Sequence, residues 1–280
     1  KGAELTHCNM FYNAAFCADR LVGATPKDVI AAALPLFHSF GQTCAMNLSI
    51  YAGATLSMLP HFEPQAALEM FQRDRITIFA GVPTMYVAFN NFPNIAKYNV
   101  KSIRACISGA AGLPVEVQTK FPELTGGRLV EGFGLSEASP VTHGNPVYGK
   151  NKIGTIGLPF PDTEAKIMDL ETGTKEMPMG EIGELVIRGP QVMKGYWKMP
   201  EETAAVLRDG WLYTGDIGKM DEDGYFYITD RKKDLIKYKD YSVYPREIED
   251  VLYEHPAVKL CIVIGTPDPT VGAVPKAYTV

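Results

Sequence analysis

Residues 103–140 read IRACISGAAGLPVEVQTKFPELTGGRLVEGFGLSEASP, and the order of patterns within them decides the fold. An apolar run, IRACI (103–107), stops at the turn segment SGAAGLP (108–114). A helical pattern follows over about 114–121, entered at Pro114, where the missing N–H of proline costs nothing in the first turn. A second apolar run, RLVE (128–131), then meets the Gly- and Ser-rich EGFGLSEASP (131–140). Strand, turn, helix and strand make a βαβ unit, whose right-handed crossover leaves the two strands parallel.

The same alternation extends toward the start of the chain. IAAALPL (30–36), ATLSM (54–58) and ITIFA (76–80) read as strands, and 64–74 and 84–90 as helices, the latter just after Pro83. The expected fold class is therefore α/β, a largely parallel sheet with flanking helices. Such sheets bind ligands beyond the carboxyl ends of their strands. Here those ends run into LPLFHSFG (34–41), AGVPT (80–84), SGAAGLP and EGFGLSEASP, all rich in Gly, Ser or Pro that let a backbone approach a ligand. Each could be an ordinary connection; four on one edge predict a pocket.

From about 151 the period changes to two. TEAKIMD (163–169), ELVIRG (184–189), WLYTGD (211–216) and YFYITD (225–230) alternate as half-buried strands separated by turn signals, which predicts a small antiparallel β subdomain. DRKKD (230–234) marks a further boundary, or simply a solvated turn. Beyond it a helix entered at Pro245 and the strand KLCIVIG (259–265) begin an α+β C-terminal domain that is incomplete at Val280. The expected domains are 1–150, 151–229 and 230–280.

Composition narrows the function classes. The 280 residues carry 27 Lys+Arg against 32 Asp+Glu, a net charge of −5, with the basic residues scattered, so no nucleic-acid footprint is expected. Hydrophobic residues at 46% exclude a disordered chain. No apolar run has the length of a transmembrane segment, and none leads the chain as a signal peptide would. The cysteines, Cys8, Cys17, Cys44, Cys106 and Cys261, have neither metal-ligand nor disulfide spacing, which predicts a reduced, cytoplasmic protein.

LPLFHSFG, ISGAAGLP, EGFGLSEASP, WLYTGDIG, YITDRKKDLIKYKDYSVYPREIE and VPKAYTV follow one another in an order and spacing that resembles the adenylate-forming superfamily, which includes acyl-CoA synthetases, 4-coumarate ligases and firefly luciferase. Among these the chain is most similar to fatty-acid–CoA ligases. The resemblance implies an enzyme that uses ATP and Mg²⁺ to activate a fatty acid or related carboxylic acid as an acyl-adenylate. The acyl group then passes to coenzyme A. It leaves room for a homodimer.

The resemblance also assigns roles. Ser136 contacts phosphate oxygens, Glu137 ligates Mg²⁺, and Lys1, in KGAELTHCN, stands at the tail of a phosphate-binding loop. Gly109, Ala110 and Ala111 lie along the adenine, and Glu131, Gly132, Phe133 and Gly134 continue the nucleotide site. Phe133 replaces the usual tyrosine and Ser136 the usual threonine. Asp216 accepts from the ribose hydroxyls, with Ile228, Arg231 and Lys237 as further nucleotide contacts. His38, Phe40, Val82 and Met85 line the acyl pocket, and Lys233 is the hinge of the small domain.

Read without the family, Ser136 is equally a helix N-cap, Asp216 a turn aspartate, and Arg231 a surface partner of Asp230 or Asp234. Three departures stand out. The front of the phosphate loop is expected to be absent, as is the family's adenylating lysine, which lies beyond VPKAYTV; Lys276 belongs to that preceding strand. Asp240 occupies a loop position where the family usually has glycine. The chain by itself is accordingly expected to turn over little. Two other readings remain open: a non-catalytic nucleotide- or acyl-binding module, and a serine hydrolase, since Gly134-Leu-Ser136-Glu-Ala138 is one substitution from G-x-S-x-G.

Overall fold

A computed structural model describes residues 1–239, 241–253, 255 and 257–280. The substitution of glycine by Asp240 lies outside the described residues. The chain divides into two units, Lys1–Glu164 with Arg188–Leu212, and Ala165–Ile187 with Tyr213–Val280.

The first unit begins with a two-residue strand, β1 (Ala3–Glu4), and a helix, His7–Phe16, started by a capping box between Thr6 and Asn9. Its main sheet has seven strands: β2 (Val29–Ala32), β3 (Thr55–Met58), β4 (Ile78–Gly81), β5 (Ala105–Ser108), β6 (Arg128–Gly134), β7 (Val141–Gly144) and β8 (Leu158–Pro159). Their order is β3-β2-β4-β5-β6-β7-β8, parallel from β3 to β6 and antiparallel thereafter. The largely parallel α/β sheet expected from residues 103–140 is thus present. Helices Pro64–Asp74, Pro83–Asn90 and Val115–Thr125 connect β3 to β4, β4 to β5 and β5 to β6. Two of the three carry proline in their first turn, and Pro114 is the N-cap of the third.

Both faces of the central parallel strands are covered, so β4 and β5 are buried along their whole length, while the edge strand β3 is partly exposed. Phe71, Phe79, Tyr86, Phe89 and Phe121 meet in edge-on and tilted contacts with ring centroids 5.0–5.9 Å apart. Each such ring stabilises the fold by about 1.5–3 kcal/mol through burial. Tyr86 still satisfies its hydroxyl, which donates to the Ile107 carbonyl at 2.9 Å. The chain winds from β2 out to β3, then returns past β2 to β4 and on to β6. The direction therefore reverses at the carboxyl ends of β2 and β4, the place where open α/β sheets take ligands.

Three features differ from the sequence reading. The stretch 7–22 is helical, its last turns, Cys17–Val22, being wider than α, and so is 39–52, with wide turns at Gln42–Asn47. Gly132, Phe133 and Gly134 belong to β6 and not to the turn after it. Gly134 allows β7 to approach: a Cβ there would lie 2.3 Å from the Pro140 carbonyl oxygen.

The second unit's sheet contains β9 (Glu164–Met168), β10 (Gly183–Arg188), β13 (Trp211–Met220) and β14 (Phe226–Arg231), with β13 and β14 antiparallel around a bulge at Ile217/Gly218. In the first unit, β11 (Gly195–Tyr196) pairs with β1, and β12 (Leu207–Arg208) with the first residues of β13. A last sheet, β16-β15-β18-β17, joins β15 (Ile236–Tyr238), β16 (Tyr241–Val243), β17 (Cys261–Asp268) and β18 (Gly272–Thr279), with the expected helix at Pro245–Tyr253. Lys276 is in β18, and its Nζ lies 5.0 Å from the Tyr278 ring centroid.

Candidate functional site

Ser136 and Glu137 sit in a single tight turn, Ser136–Ala138, just past β6. Leu135 precedes that turn without a side-chain cap, so Ser136 is not an N-cap. Its hydroxyl is exposed and lies 3.3 Å from that of Ser39. The segment around it is fixed from several sides. Thr43 donates to the Ser139 carbonyl at 2.9 Å, Ser139 Oγ donates to Gln191 O at 2.9 Å, and the Met193 N–H donates to Glu137 O at 2.7 Å. Buried Asn13 both donates to and accepts from the backbone of Val141, at 2.6 and 3.1 Å. Such anchors hold the turn in place before any ligand arrives.

The Glu137 carboxylate accepts a 2.6 Å hydrogen bond through Oε1 from the hydroxyl of Tyr196. Burial, reinforced by the bond to Glu137, pushes the Tyr196 hydroxyl well above the ordinary tyrosine range, so it remains a donor. On its other side the Tyr196 ring carries Lys1, whose Nζ lies 5.0 Å from the centroid. Lys1 and Glu137, far apart in the first unit's sequence, thus converge on a tyrosine that sequence reasoning passed over. Its only local signal is the sequence Lys194-Gly-Tyr-Trp-Lys198, which does not reveal a partner. Among the described residues no three His, Cys, Asp or Glu converge as a metal cage. A carboxylate with Oε2 open, beside a hydroxyl, nevertheless suits a hard cation that keeps its waters and shares phosphate oxygens.

The loops at the sheet reversal hold the residues assigned to the acyl pocket. His38 is exposed and its Nδ1 accepts from the Phe40 N–H at 3.2 Å, capping the helical turn that follows. Phe40 and Met85 are buried in the core, and Val82, half-buried, packs against it. The Phe40 ring also lies under Gly109, where a Cβ would be 3.3 Å from Cζ. Next to it Ala110 and Ala111 are exposed, with Ala110 at φ 71°, a conformation that costs an alanine about 1 kcal/mol. Glu131 is buried, and its carboxylate accepts from the Leu113 N–H at 3.3 Å, bracing that loop. Gly132 pairs with Gly144, and Phe133 lies 6.2 Å from the His143 ring.

In the second unit Asp216 and Arg231 are direct cross-strand partners, joined by a 2.9 Å ion pair from Arg231 Nε to Asp216 Oδ1. The Arg231 guanidinium thus pairs with Asp216, while its backbone N–H donates to Asp230 Oδ1 at 2.7 Å. Asp230 Oδ2 accepts in turn from the Arg246 N–H at the start of the helix Pro245–Tyr253. Ile228 lies opposite Gly218 beside the bulge. Buried Glu184, also unforeseen, accepts from the Gly215 N–H at 3.1 Å and from Lys232 Nζ at 2.8 Å, while the Lys232 N–H donates to Gly215 O. Lys233 follows as an exposed residue, and exposed Lys237 donates to Ser242 at 2.9 Å.

A hydrolase arrangement is not supported. Among the described residues no histidine hydrogen-bonds to Ser136; His143 Nδ1 lies 2.9 Å from Thr142, and burial lowers its pKa to about 3. His255, in the second unit, accepts from the Ala257 N–H.

Comparison with known proteins agrees with this geometry. A family model described as AMP-binding enzyme matches residues 1–197, and one described as AMP-binding enzyme C-terminal domain matches residues 247–280. The chain belongs to the AMP-binding enzyme family. It is 50% identical over 281 residues to a long-chain-fatty-acid–CoA ligase of Bacillus subtilis, covering all of this chain and 50% of that protein. It is 39% identical to a feruloyl-CoA synthase of an Amycolatopsis species, with 56% of that protein covered. Among solved structures, ATP-bound MatB from Rhodopseudomonas palustris superposes with a TM-score of 0.93 at 37% identity, over all of this chain and 55% of that one. The chain spans about half the length of the curated relatives it matches.

Proposed function

We propose that the full-length protein is an ATP-dependent ligase that activates a long-chain fatty acid as its acyl-adenylate, releasing pyrophosphate, and passes the acyl group to the thiol of coenzyme A with release of AMP. The observation that carries this reading is the 50% identity, along the whole chain, to a protein named as a long-chain-fatty-acid–CoA ligase. That identity exceeds the 39% to a feruloyl-CoA synthase and so favours an aliphatic acid.

The residues divide the work by chemistry. Exposed Ala110 and Ala111 offer a flat backbone edge to adenine, with Phe133 available for stacking. Asp216, held by Arg231, presents a carboxylate to the ribose hydroxyls. Lys1 and Ser136 donate to phosphate oxygens. Glu137 Oε2 would hold Mg²⁺, which when bound neutralises charge on the triphosphate. His38, Phe40, Val82 and Met85 flank the fatty-acid entrance at the sheet reversal. Lys233, next to the clamped Lys232, serves as pivot of the small domain that begins at 230, the step that gives way to thioester formation. Among the described residues no helix is long and apolar enough to cross a membrane, and free cysteines suit a reducing compartment such as the cytoplasm.

A carboxylate panel tests the proposal in the full-length protein, reading AMP formation and loss of coenzyme A thiol together. Long-chain acids should drive both in equal amounts. Activity with aromatic acids alone would replace the substrate, and AMP formation without thiol loss would remove the transfer step.

A further inference from the structure

We propose that Tyr196 is a positioning residue for the metal–triphosphate step, holding Glu137 through its hydroxyl and Lys1 through its ring so that both stand in place before the nucleotide arrives. The proposal rests on the adenylating function proposed above.

Glu137 has its backbone carbonyl pinned by Met193, but its half-exposed side chain has three rotatable bonds. The hydroxyl of Tyr196 removes that freedom. An O–H···O⁻ contact of 2.6 Å is in the short range of charge-assisted bonds, and it engages Oε1, which leaves Oε2 to meet a cation. The opposite demand is met by the ring. The Lys1 ammonium lies 5.0 Å from the centroid, within the distance at which an aromatic face attracts a cation. One side chain therefore steadies a negative ligand and a positive donor without neutralising either, as a direct Lys1–Glu137 ion pair would.

Tyr196 is itself well placed to do this. Its backbone lies in β11, opposite Ala3 in β1, and its N–H donates to Thr203 Oγ1 at 2.9 Å. The Trp197 N–H donates to Gly2 O at 2.8 Å and the Lys194 N–H to Glu4 O at 2.9 Å. The short ribbon that fixes Tyr196 is thus the one that fixes the segment carrying Lys1, and backbone pairing brings the ring within reach of the ammonium.

The test uses Mn²⁺ as a spectroscopic stand-in for Mg²⁺ in the full-length protein with ATP present, reading free Mn²⁺ by electron paramagnetic resonance, with urea unfolding alongside. Tyr196→Phe keeps the ring and removes the hydroxyl. We expect it to weaken Mn²⁺ binding about tenfold, the effect of losing one hydrogen bond to a charged group, with little change in the urea midpoint. In a Glu137→Gln background the same change should add nothing, because its effect runs through that carboxylate. Unchanged Mn²⁺ affinity in Tyr196→Phe, with a clear loss in Glu137→Gln, would overturn the proposal and leave the adenylating function standing. Additive losses, or a large fall in the urea midpoint, would make Tyr196 a support of the fold and overturn it equally. No effect of Glu137→Gln would remove the functional reading and this proposal with it.

Discussion

Asp216→Asn separates the two tasks given to this carboxylate. In the structure Oδ1 takes Arg231 Nε at 2.9 Å, with the aspartate side chain 3% exposed and the arginine 53%. Asparagine keeps the shape and can still accept that bond through its amide oxygen. The charge is lost, but the arginine is half in water, so solvent screening keeps the cost to folding at about 1 kcal/mol or less. The cost to nucleotide binding is larger. A ribose diol that donates twice to a carboxylate would meet one amide oxygen and one NH₂ group, which cannot accept. Losing one hydrogen bond to a charged group is worth about 1.5–3 kcal/mol, a tenfold to hundredfold loss of affinity. Calorimetric titration of ATP into the full-length variant measures that loss, and urea unfolding measures the fold. Affinity within twofold of the unsubstituted protein would refute the ribose assignment. A loss of affinity matched by an equal loss of stability would show that Asp216 acts only through its strand pairing.

Two further changes probe the first unit. Asp28 is buried; burial alone would raise its pKa, but donors from Arg104, Thr77 and Thr25 hold it at about 2. Against an unfolded value of about 3.9, this lowered pKa contributes stability that is complete above about pH 4 and is lost as the pH falls toward 2, about 2 kcal/mol in all. Asp28→Asn should therefore unfold in less urea at pH 7 and show a flatter midpoint between pH 4 and pH 2; an equally steep acid limb would assign the pH dependence elsewhere. Ala110→Gly relieves a positive φ of 71° and should raise the urea midpoint by about 0.5 kcal/mol of stability, since the strain relieved exceeds the extra freedom of glycine in the unfolded chain; a lower midpoint would contradict it.

The parallel sheet was legible in the sequence because its information is local. Apolar runs, glycine-rich turns and prolines at helix starts lie next to each other along 76–140, and β4 and β5 end where their turns begin. The helical stretches 7–22 and 39–52 were not legible, since wide turns at Cys17–Val22 and Gln42–Asn47 break the 3.6-residue period, and the regular helix His7–Phe16 buries Asn9 and Asn13 in place of an apolar stripe. Gly132 and Gly134 carried the composition of a turn, yet both lie in β6, and Gly134 serves a close strand approach that depends on Pro140 folding back. The identities of Ser136, Glu137 and Asp216 could be carried over from a resemblance; their partners could not. Arg231 has aspartates one and three positions away, but cross-strand register gives it Asp216. Tyr196 meets Glu137 across 59 positions, a distance at which no local pattern survives.

Carboxylate-dependent exchange of labelled pyrophosphate into ATP, with Mg²⁺ present and coenzyme A absent, reads adenylation by the full-length protein in isolation from thioester formation. A long-chain fatty acid should bring label into ATP, and Glu137→Gln should slow the exchange and shift its Mg²⁺ dependence to higher concentration. Absence of exchange with every carboxylate tested, or exchange that proceeds equally well without one, would contradict the assignment of this chain to fatty-acid activation.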